Sequence, residues 1–437
     1  MPYHESRYLR QARFPGNQYV DLSRIITLTT PSELFNSNMY GQKCQTVVRK
    51  VSEMSNDRLH TLKLQNDMIY CPRRNHLPDV WEGGMMAKTR EENRMNYQEV
   101  LTKARKTIGN YCKACNVCNG RACGNQMPGP GAKGLGDTAI RNFDAWQKVR
   151  INMDTLCEKR KVDTSVELFG KKFRMPVFAG PVGAVKLHYG DCYDDLSYNS
   201  ILLAGCEESG IAAFTGDGTN EQVMIGATEA IRQAGGMGVP TVKPWSKEVI
   251  DEKMKLVKAS GAFAVAMDID AAGLPFLKNC EPPAGSKSEA ELKEIISAHD
   301  VPFIVKGIIT VKGALKAKEA GAAAIVVSNH GGRVLDQCPS TAEVLPEIAE
   351  ALKGSGVKIL VDGGIRSGVT VFKALAMGAD GVLIARPFVT AVYGGAKEGV
   401  SAYVDQIAGE LEDTMAMCGA ASVDEITSDM VRLPQVW

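Results

Sequence analysis

The stretch Ala324-Ile-Val-Val-Ser-Asn-His-Gly-Gly-Arg333 joins a strand-like run to a set of reactive side chains. Ala324 to Val327 is apolar and rich in β-branched residues, which is typical of a parallel strand buried on both faces. Beyond it, His330 can exchange a proton near neutral pH, and the guanidinium of Arg333 can hold a carboxylate with two hydrogen bonds. Taken alone, His330 could equally make a hydrogen bond within the loop, and Arg333 could equally make a surface ion pair. The interpretation therefore depends on what the neighbouring segments contribute.

Similar strand-like runs recur from Met175 onward, and helical patterns separate them. Several of these patterns end in glycine, as helices often do. The eight runs are Pro176–Gly180, Ile211–Phe214, Pro240–Val242, Phe263–Met267, Pro302–Val305, Ala323–Val327, Lys358–Val361 and Gly381–Ile384. Eight strand–helix units predict an α/β fold, a TIM (β/α)8 barrel over residues 175–437. A doubly wound sheet is the alternative, although eight units would be many for it.

The polar residues that follow these runs predict one functional rim. The carboxyl ends of all strands of such a barrel lie on the same face, where reactive groups are found. These residues are Asp268, Asp270, Lys306, His330, Arg333, Asp362-Gly-Gly-Ile-Arg366 and Arg386. The glycines and arginines after the last two runs are typical of a phosphate site, because backbone N–H groups and a helix N-terminus can face the anion. A tight turn with surface arginines is the alternative for any one loop.

Two segments precede the barrel. Residues 1–94 carry scattered polar and basic residues without sustained periodicity, so we expect a poorly ordered N-terminal extension. Residues 95–174 form a helical and cysteine-rich segment that opens with Tyr97–Ile108, where apolar residues recur at helical spacing. Because the character of the chain changes there, we expect Met95 to be the true start of the protein.

Four cysteines in this segment are spaced like metal ligands. Cys112, Cys115, Cys118 and Cys123 are separated by two, two and four residues, which is near the ferredoxin pattern for an iron–sulfur cluster. The last gap is one residue longer than in that pattern, and no proline follows the fourth cysteine. Zinc held by four thiolates and free loop thiols are the alternatives.

Composition narrows the class of protein. The 437 residues include 51 basic and 50 acidic side chains, so charge gives no reason to expect a nucleic-acid or membrane-surface partner. No apolar run approaches the ~18 residues of a membrane span, and the N-terminus lacks a signal peptide. We expect a cytoplasmic protein whose cysteines serve as thiols or metal ligands.

Four motifs stand in a recognisable order: IVKG at 304–307, SNHGGR at 328–333, VDGGIR at 361–366 and ARP at 385–387. This order resembles the FMN-dependent α-hydroxy-acid oxidase and dehydrogenase family, which includes glycolate oxidase, lactate oxidase and flavocytochrome b2. The resemblance covers about Met175 to Thr427. It implies a flavoprotein barrel that oxidises an (S)-2-hydroxy acid to the 2-oxo acid, commonly as a homotetramer, with oxygen or another protein as electron acceptor.

The resemblance also implies a role for each matching residue. His330 would be the catalytic base, Arg333 would hold the substrate carboxylate, and Asp268 would steady the protonated His330. Lys306 would lie beside the N1–C2 edge of the flavin. The other residues matching FMN contacts are Pro181, Val182, Gly183, Thr215, Ser328, Asp362, Gly363, Gly364, Ile365, Arg366, Ala385 and Arg386.

Departures from the family pattern fall on the residues that bind substrate. The region of the family's first substrate tyrosine reads Met127-Pro-Gly-Pro-Gly131, and its second tyrosine aligns best with Lys243. No counterpart to its second arginine follows strand four, in 271–276. The usual small substrate is therefore not implied. A non-redox isomerase resembling type 2 isopentenyl diphosphate isomerase, or a flavin or metal redox sensor, are the alternative functions.

Overall fold

The computed structural model describes residues 12–13, 19–20, 95–109, 111–123, 133–274, 277, 281 and 284–437. The chain divides into two units, Met1–Trp81 and Glu82–Trp437. In the first unit, strands β1 (Ala12–Arg13) and β2 (Tyr19–Val20) pair antiparallel. The expectation for the rest of residues 1–94 lies outside the described residues, as does the segment 127–131.

Two helices and three short strands lead into the barrel. They are α1 (Tyr97–Thr107), α2 (Asp137–Lys148), β3 (Arg150–Ile151), β4 (Val166–Leu168) and β5 (Lys171–Phe173). Helix α1 begins at a capping box in which the side chains of Asn96 and Glu99 each accept a hydrogen bond from the other's backbone N–H. The ring of Phe173 packs edge-on against Phe178, 5.0 Å away, so the β4–β5 hairpin contributes to the barrel core.

Eight parallel strands then close into a barrel, as predicted. They are β6 (Val177–Ala179), β7 (Ala212–Thr215), β8 (Gly238–Val242), β9 (Val265–Asp268), β10 (Phe303–Ile308), β11 (Ala324–Val327), β12 (Lys358–Val361) and β13 (Gly381–Ile384). Each pairs with its neighbours in chain order, and β13 pairs with β6 to close the ring. The doubly wound sheet is therefore wrong.

The strands are largely apolar because most of their residues are buried on both faces. Phe178, Phe214 and Leu360 belong to the smaller core, which fills the barrel. Alternate residues such as Val305 and Ile325 belong to the larger core, formed with the surrounding helices. Apart from Lys358, which begins β12 and is exposed, the charged residues of the strands lie toward their carboxyl ends.

The helices after β6 surround the barrel. They are α3 (Val185–Tyr189), α4 (Asp195–Glu208), α5 (Glu221–Gln233), α6 (Lys247–Ser260), α7 (Glu289–Ser297), α8 (Val311–Glu319), α9 (Thr341–Leu352), α10 (Gly368–Ala376) and α11 (Arg386–Met417), and β14 (Val431–Arg432) pairs with β3. Tyr97 of α1 stacks on Tyr403 of α11 with ring centroids 4.4 Å apart. None of the helices in the described part of the chain combines the length and apolar character of a membrane span.

Candidate active site

The carboxyl ends of the barrel strands surround a cavity of about 410 Å³. The predicted site residues that line it are Pro181, Val182, Gly183, Asp268, Lys306, His330, Arg333, Asp362, Gly363, Gly364, Arg366, Ala385 and Arg386. Three other predicted residues, Thr215, Ser328 and Ile365, are buried without lining it. The barrel thus brings most of the predicted site together at one rim.

The carboxylate that contacts His330 in the structure is Asp270 and not Asp268, the residue predicted for this place. His330 Nδ1 lies 3.1 Å from Asp270 Oδ1. After β9 the chain enters a 3-10 turn over Ile269–Gly273, which takes Asp270 out of the strand. Asp268 remains in the strand, opposite Lys306 of β10.

Gly307 makes room for Asp270. Its φ is +100°, in the region that favours glycine, and a Cβ there would lie 2.6 Å from Asp270 Cβ. Burial opposes ionisation of Asp270, but the charges of His330 and Lys306 outweigh it and hold its pKa below the usual value. Asp270 is therefore an anion suited to stabilise a protonated His330.

Asp268 instead pairs with Lys243 at the end of β8. Lys243 Nζ lies 3.1 Å from Asp268 Oδ2, and both side chains are buried. Burial raises the pKa of Asp268, and Lys243 and His330 offset this only in part. The Lys243 backbone N–H donates to Asp217, which also accepts from Trp245 Nε1 at 2.6 Å and pairs with Lys253 at 2.8 Å. This network fixes Lys243 in the cavity wall.

Arg333 is a cation that lacks a carboxylate partner among the described residues. Its Nε is buried with no hydrogen-bond partner. Burial lowers the pKa of its guanidinium below the ordinary value, which shows that the charge is held without full compensation. A carboxylate entering the cavity would supply that compensation.

Lys306 is held as a cation on β10, the strand next to the one that Arg333 follows. Burial would lower its pKa, but Asp362, Asp270 and Asp268 outweigh that effect and raise it. Its Nζ lies 3.3 Å from Asp362 Oδ2 and donates to Ser328 Oγ at 2.9 Å. Ser328 therefore contacts a residue of the cavity wall, Lys306, without lining the cavity itself.

Two glycines and two arginines form the end of the cavity predicted to bind phosphate. Gly363 and Gly364 have φ of +86° and +81°. A Cβ at Gly364 would overlap the backbone oxygen of Asn142 on α2, so only glycine fits there. In the part of the chain that the structure describes, Arg366 and Arg386 pair with no carboxylate. Arg366 donates to the backbone oxygens of Cys118 and Ile365, and its side chain also bonds the Cys118 side chain.

These features fit FMN. The unpaired arginines match a phosphate. On strand β8, the hydroxyl of Thr241 is buried without a hydrogen-bond partner, as expected of a group that bonds to the polar edge of a bound ring system. Thr241 also lines the cavity.

The four predicted cysteine ligands line a second cavity, also of about 410 Å³. Burial raises the pKa of Cys112 to about 12. Burial also opposes ionisation of Cys118, but Arg386 and Arg366 outweigh it and lower the pKa of this thiol. Within the described ranges, no three histidine, cysteine or acidic side chains are placed to hold a metal ion. The iron–sulfur cluster and the zinc site therefore remain predictions without support from this geometry.

Sequence reasoning missed Asp217 and Tyr189, which also line the cavity. Tyr189 is buried, and burial raises the pKa of its phenol. It ends the short helix α3 after the first barrel strand, and Arg333 lies close enough to affect its charge. Its place between the first barrel strand and α4 was the only sequence signal available for it.

The comparisons with known proteins identify the family. The family described as FMN-dependent dehydrogenase matches residues 130–280 and 281–433. The chain therefore belongs to the FMN-dependent dehydrogenase family and is an FMN-dependent oxidoreductase. It is 30% identical to peroxisomal (S)-2-hydroxyacid oxidase GLO3 of Arabidopsis thaliana over 329 residues, which cover 68% of this chain and 88% of that protein.

Other relatives are named as oxidases of aromatic hydroxy acids. The 4-hydroxymandelate oxidase of Amycolatopsis orientalis is 29% identical over 336 residues, covering 69% of this chain and 94% of that protein. The crystal structure of mandelate oxidase with benzoylformic acid superposes with a TM-score of 0.63 at 25% identity, covering 77% of this chain and 97% of that one. The barrel is thus the fold of solved members of this group.

Proposed function

We propose that the protein oxidises an (S)-2-hydroxy acid to the 2-oxo acid, with FMN bound in the strand-end cavity. The single observation that carries this proposal is the buried Arg333, uncompensated by any described carboxylate, in the same cavity as the His330–Asp270 pair. The relatives named 2-hydroxyacid and hydroxymandelate oxidases support the substrate class.

Each residue has a role that follows from its position. Arg333 binds the substrate carboxylate through its guanidinium. His330 Nε2 takes the proton of the 2-hydroxyl, because Nδ1 is engaged by Asp270, whose charge stabilises the imidazolium that forms. Bound FMN would supply the chemistry of accepting the hydrogen on the substrate C2 together with two electrons. Lys306 places a fixed positive charge in the wall to offset negative charge developing on the ring.

The remaining lining residues would hold FMN. Gly363, Gly364, Arg366 and Arg386 would bind the phosphate, with Ala385 beside them, and the loop 181–183 would contact the ring. The name oxidase in the relatives supports oxygen as the electron acceptor. The homotetramer and the cytoplasmic location remain expectations from the resemblance and composition.

Reduction of the bound flavin tests this function. Anaerobic mixing of FMN-loaded protein with a panel of (S)-2-hydroxy acids should bleach the flavin and yield the 2-oxo acid. An isomerase would leave the flavin oxidised after turnover, and a sensor would not turn over. The intact His330 and Arg333 pair favours the oxidoreductase.

We also propose that the cysteine cavity binds an iron–sulfur cluster rather than zinc. All four thiols line one cavity, and Arg366 and Arg386 line both that cavity and the flavin cavity. Arg366 Nε donates to the Cys118 backbone oxygen at 2.7 Å, which ties the cysteine loop to the phosphate end. The spacing of the four cysteines in the sequence, near the ferredoxin pattern, favours the cluster over zinc.

Metal analysis tests this second proposal. Protein purified without oxygen should contain iron and acid-labile sulfide, and Cys115→Ser should remove them. Cys157→Ser is the matched control, because Cys157 is exposed and lies outside the cavity. Zinc without sulfide, or no metal, would contradict the proposal.

A further inference from the structure

The charged side chains around the flavin cavity pair with one another, except for three arginines. Lys306 pairs with Asp362, and Lys243 pairs with Asp268. The cavity cations that no described carboxylate neutralises are Arg333, Arg366 and Arg386. With two of them facing the FMN phosphate, as proposed above, Arg333 is the cation left for the substrate. Because one uncompensated arginine is left for the substrate, the cavity favours a substrate with one carboxylate.

The proposed proton transfer makes no use of the Lys243–Asp268 pair. The two residues are 7% and 5% exposed, and both line the cavity. A buried ion pair contributes little net stability, since well-packed apolar residues often replace it without loss. Folding alone therefore gives no reason for the pair at this place.

The pair retains hydrogen-bonding capacity next to the substrate site. Asp268 Oδ1 is buried without a hydrogen-bond partner, and Lys243 Nζ has three N–H groups, of which one meets Asp268 Oδ2. An acceptor thus lies beside a donor. A hydroxyl group both donates and accepts, so it matches the pair, whereas Asp268 repels a carboxylate and Lys243 repels an ammonium. A methyl group would satisfy neither residue.

We infer that the Lys243–Asp268 pair binds a second hydroxyl on the substrate, so that the preferred substrate is a 2,3-dihydroxy monocarboxylic acid. This inference rests on the proposed function, and it names the substrate class for the same site. Asp268 is two residues from Asp270, and His330 is close enough to influence its ionisation. The pair therefore lies beside the base that acts at C2, where a hydroxyl on C3 would be placed while Arg333 holds C1.

Two acids that differ by one hydroxyl test the inference. The FMN-loaded enzyme should be reduced by (S)-glycerate with kcat/KM about 100-fold or more above that for (S)-lactate, because a site built to bind a hydroxyl discriminates strongly against its absence. Among products, hydroxypyruvate should perturb the spectrum of the oxidised flavin at a lower Kd than pyruvate. This second measurement reports binding without turnover.

Substitutions of Lys243 and Asp268 test whether this pair causes the preference for glycerate over lactate. Lys243→Met should abolish most of the preference in both measurements. Because it leaves Asp268 unpaired, the double variant Lys243→Met, Asp268→Leu provides an apolar replacement of the whole pair that does not bury a lone charge. Lys247→Met is the control, since Lys247 is half-exposed on α6 and pairs with Asp251. It should keep the wild-type ratio.

Each other result would overturn the inference. Equal use of the two acids by the wild type would do so, as would reduction by other 2-hydroxy acids but not by glycerate. Variants that keep the wild-type ratio while changing FMN affinity or flavin potential would assign the pair to the flavin instead. A bound flavin that no 2-hydroxy acid reduces would refute the proposed function itself, which is a distinguishable failure.

Discussion

Replacing Asp270 by Asn tests the assignment of the partner of His330. The change keeps the size of the side chain and removes the charge that lies 3.1 Å from His330 Nδ1. A hydrogen bond to a charged group contributes about 1.5–3 kcal/mol, and about 1.4 kcal/mol corresponds to a tenfold change in rate. Because the imidazolium forms only as the reaction proceeds, Asp270→Asn should slow flavin reduction roughly 10- to 150-fold, with little change in substrate Kd.

The assay is anaerobic stopped-flow reduction over a range of substrate concentrations, which separates the limiting rate constant from Kd. FMN content and circular dichroism confirm that the variant is folded. Asp268→Asn is the comparison, and its limiting rate constant should fall less, because Asp268 pairs with Lys243. The reasoning would be refuted by an Asp268→Asn variant that reduces its flavin as slowly as Asp270→Asn, or more slowly.

Three further changes probe the same cavity. Arg333→Lys keeps the charge but loses the bidentate geometry, so kcat/KM should fall about 100-fold with FMN still bound; steady-state kinetics that match the wild type would contradict this. His330→Gln should leave the flavin spectrum intact and slow its reduction by about two to four powers of ten, and near-normal reduction would exclude His330 as the base. Gly307→Ala forces a Cβ against Asp270 at φ +100°, so thermal unfolding should show a loss of about 1–3 kcal/mol and stopped flow a slower reduction. An alanine variant with unchanged stability and rate would show that Asp270 does not depend on this space.

Much of the fold was predictable because a parallel barrel imposes a simple pattern. Strands such as Lys358–Val361 and Gly381–Ile384 were predicted at their observed bounds. Both are apolar over their buried residues, and a charged or glycine-rich loop ends each run. The polar residues after such strands meet at one rim, so His330, Arg333 and Lys306 could be grouped without coordinates.

The choice between Asp268 and Asp270 could not be made in that way. Residues two apart on a strand point to the same face, so the sequence pattern alone does not distinguish Asp268, the predicted partner of His330, from Asp270. The 3-10 turn after β9 and the space above Gly307 determine that Asp270 contacts His330, and no sequence pattern predicts either feature.

Two other features also depend on tertiary structure. The Lys243–Asp268 pair joins neighbouring strand ends that a one-dimensional pattern treats as separate. Cysteine spacing indicates the number of available thiols but not the distances between them, so it could not choose between a cluster, a single ion and free thiols. The shared position of Arg366 and Arg386 between two cavities became visible only in the folded chain.

Reduction of the bound flavin by substrate shows most directly whether the cavity oxidises 2-hydroxy acids by way of FMN. FMN-loaded protein is mixed without oxygen with (S)-2-hydroxy acids of increasing size and polarity, while the visible absorbance of the oxidised flavin is followed and the product is identified. We expect bleaching by at least one acid, with one 2-oxo acid formed per flavin reduced, and no bleaching of the His330→Gln variant on the same timescale. A fully loaded flavin that stays oxidised with every acid would contradict it.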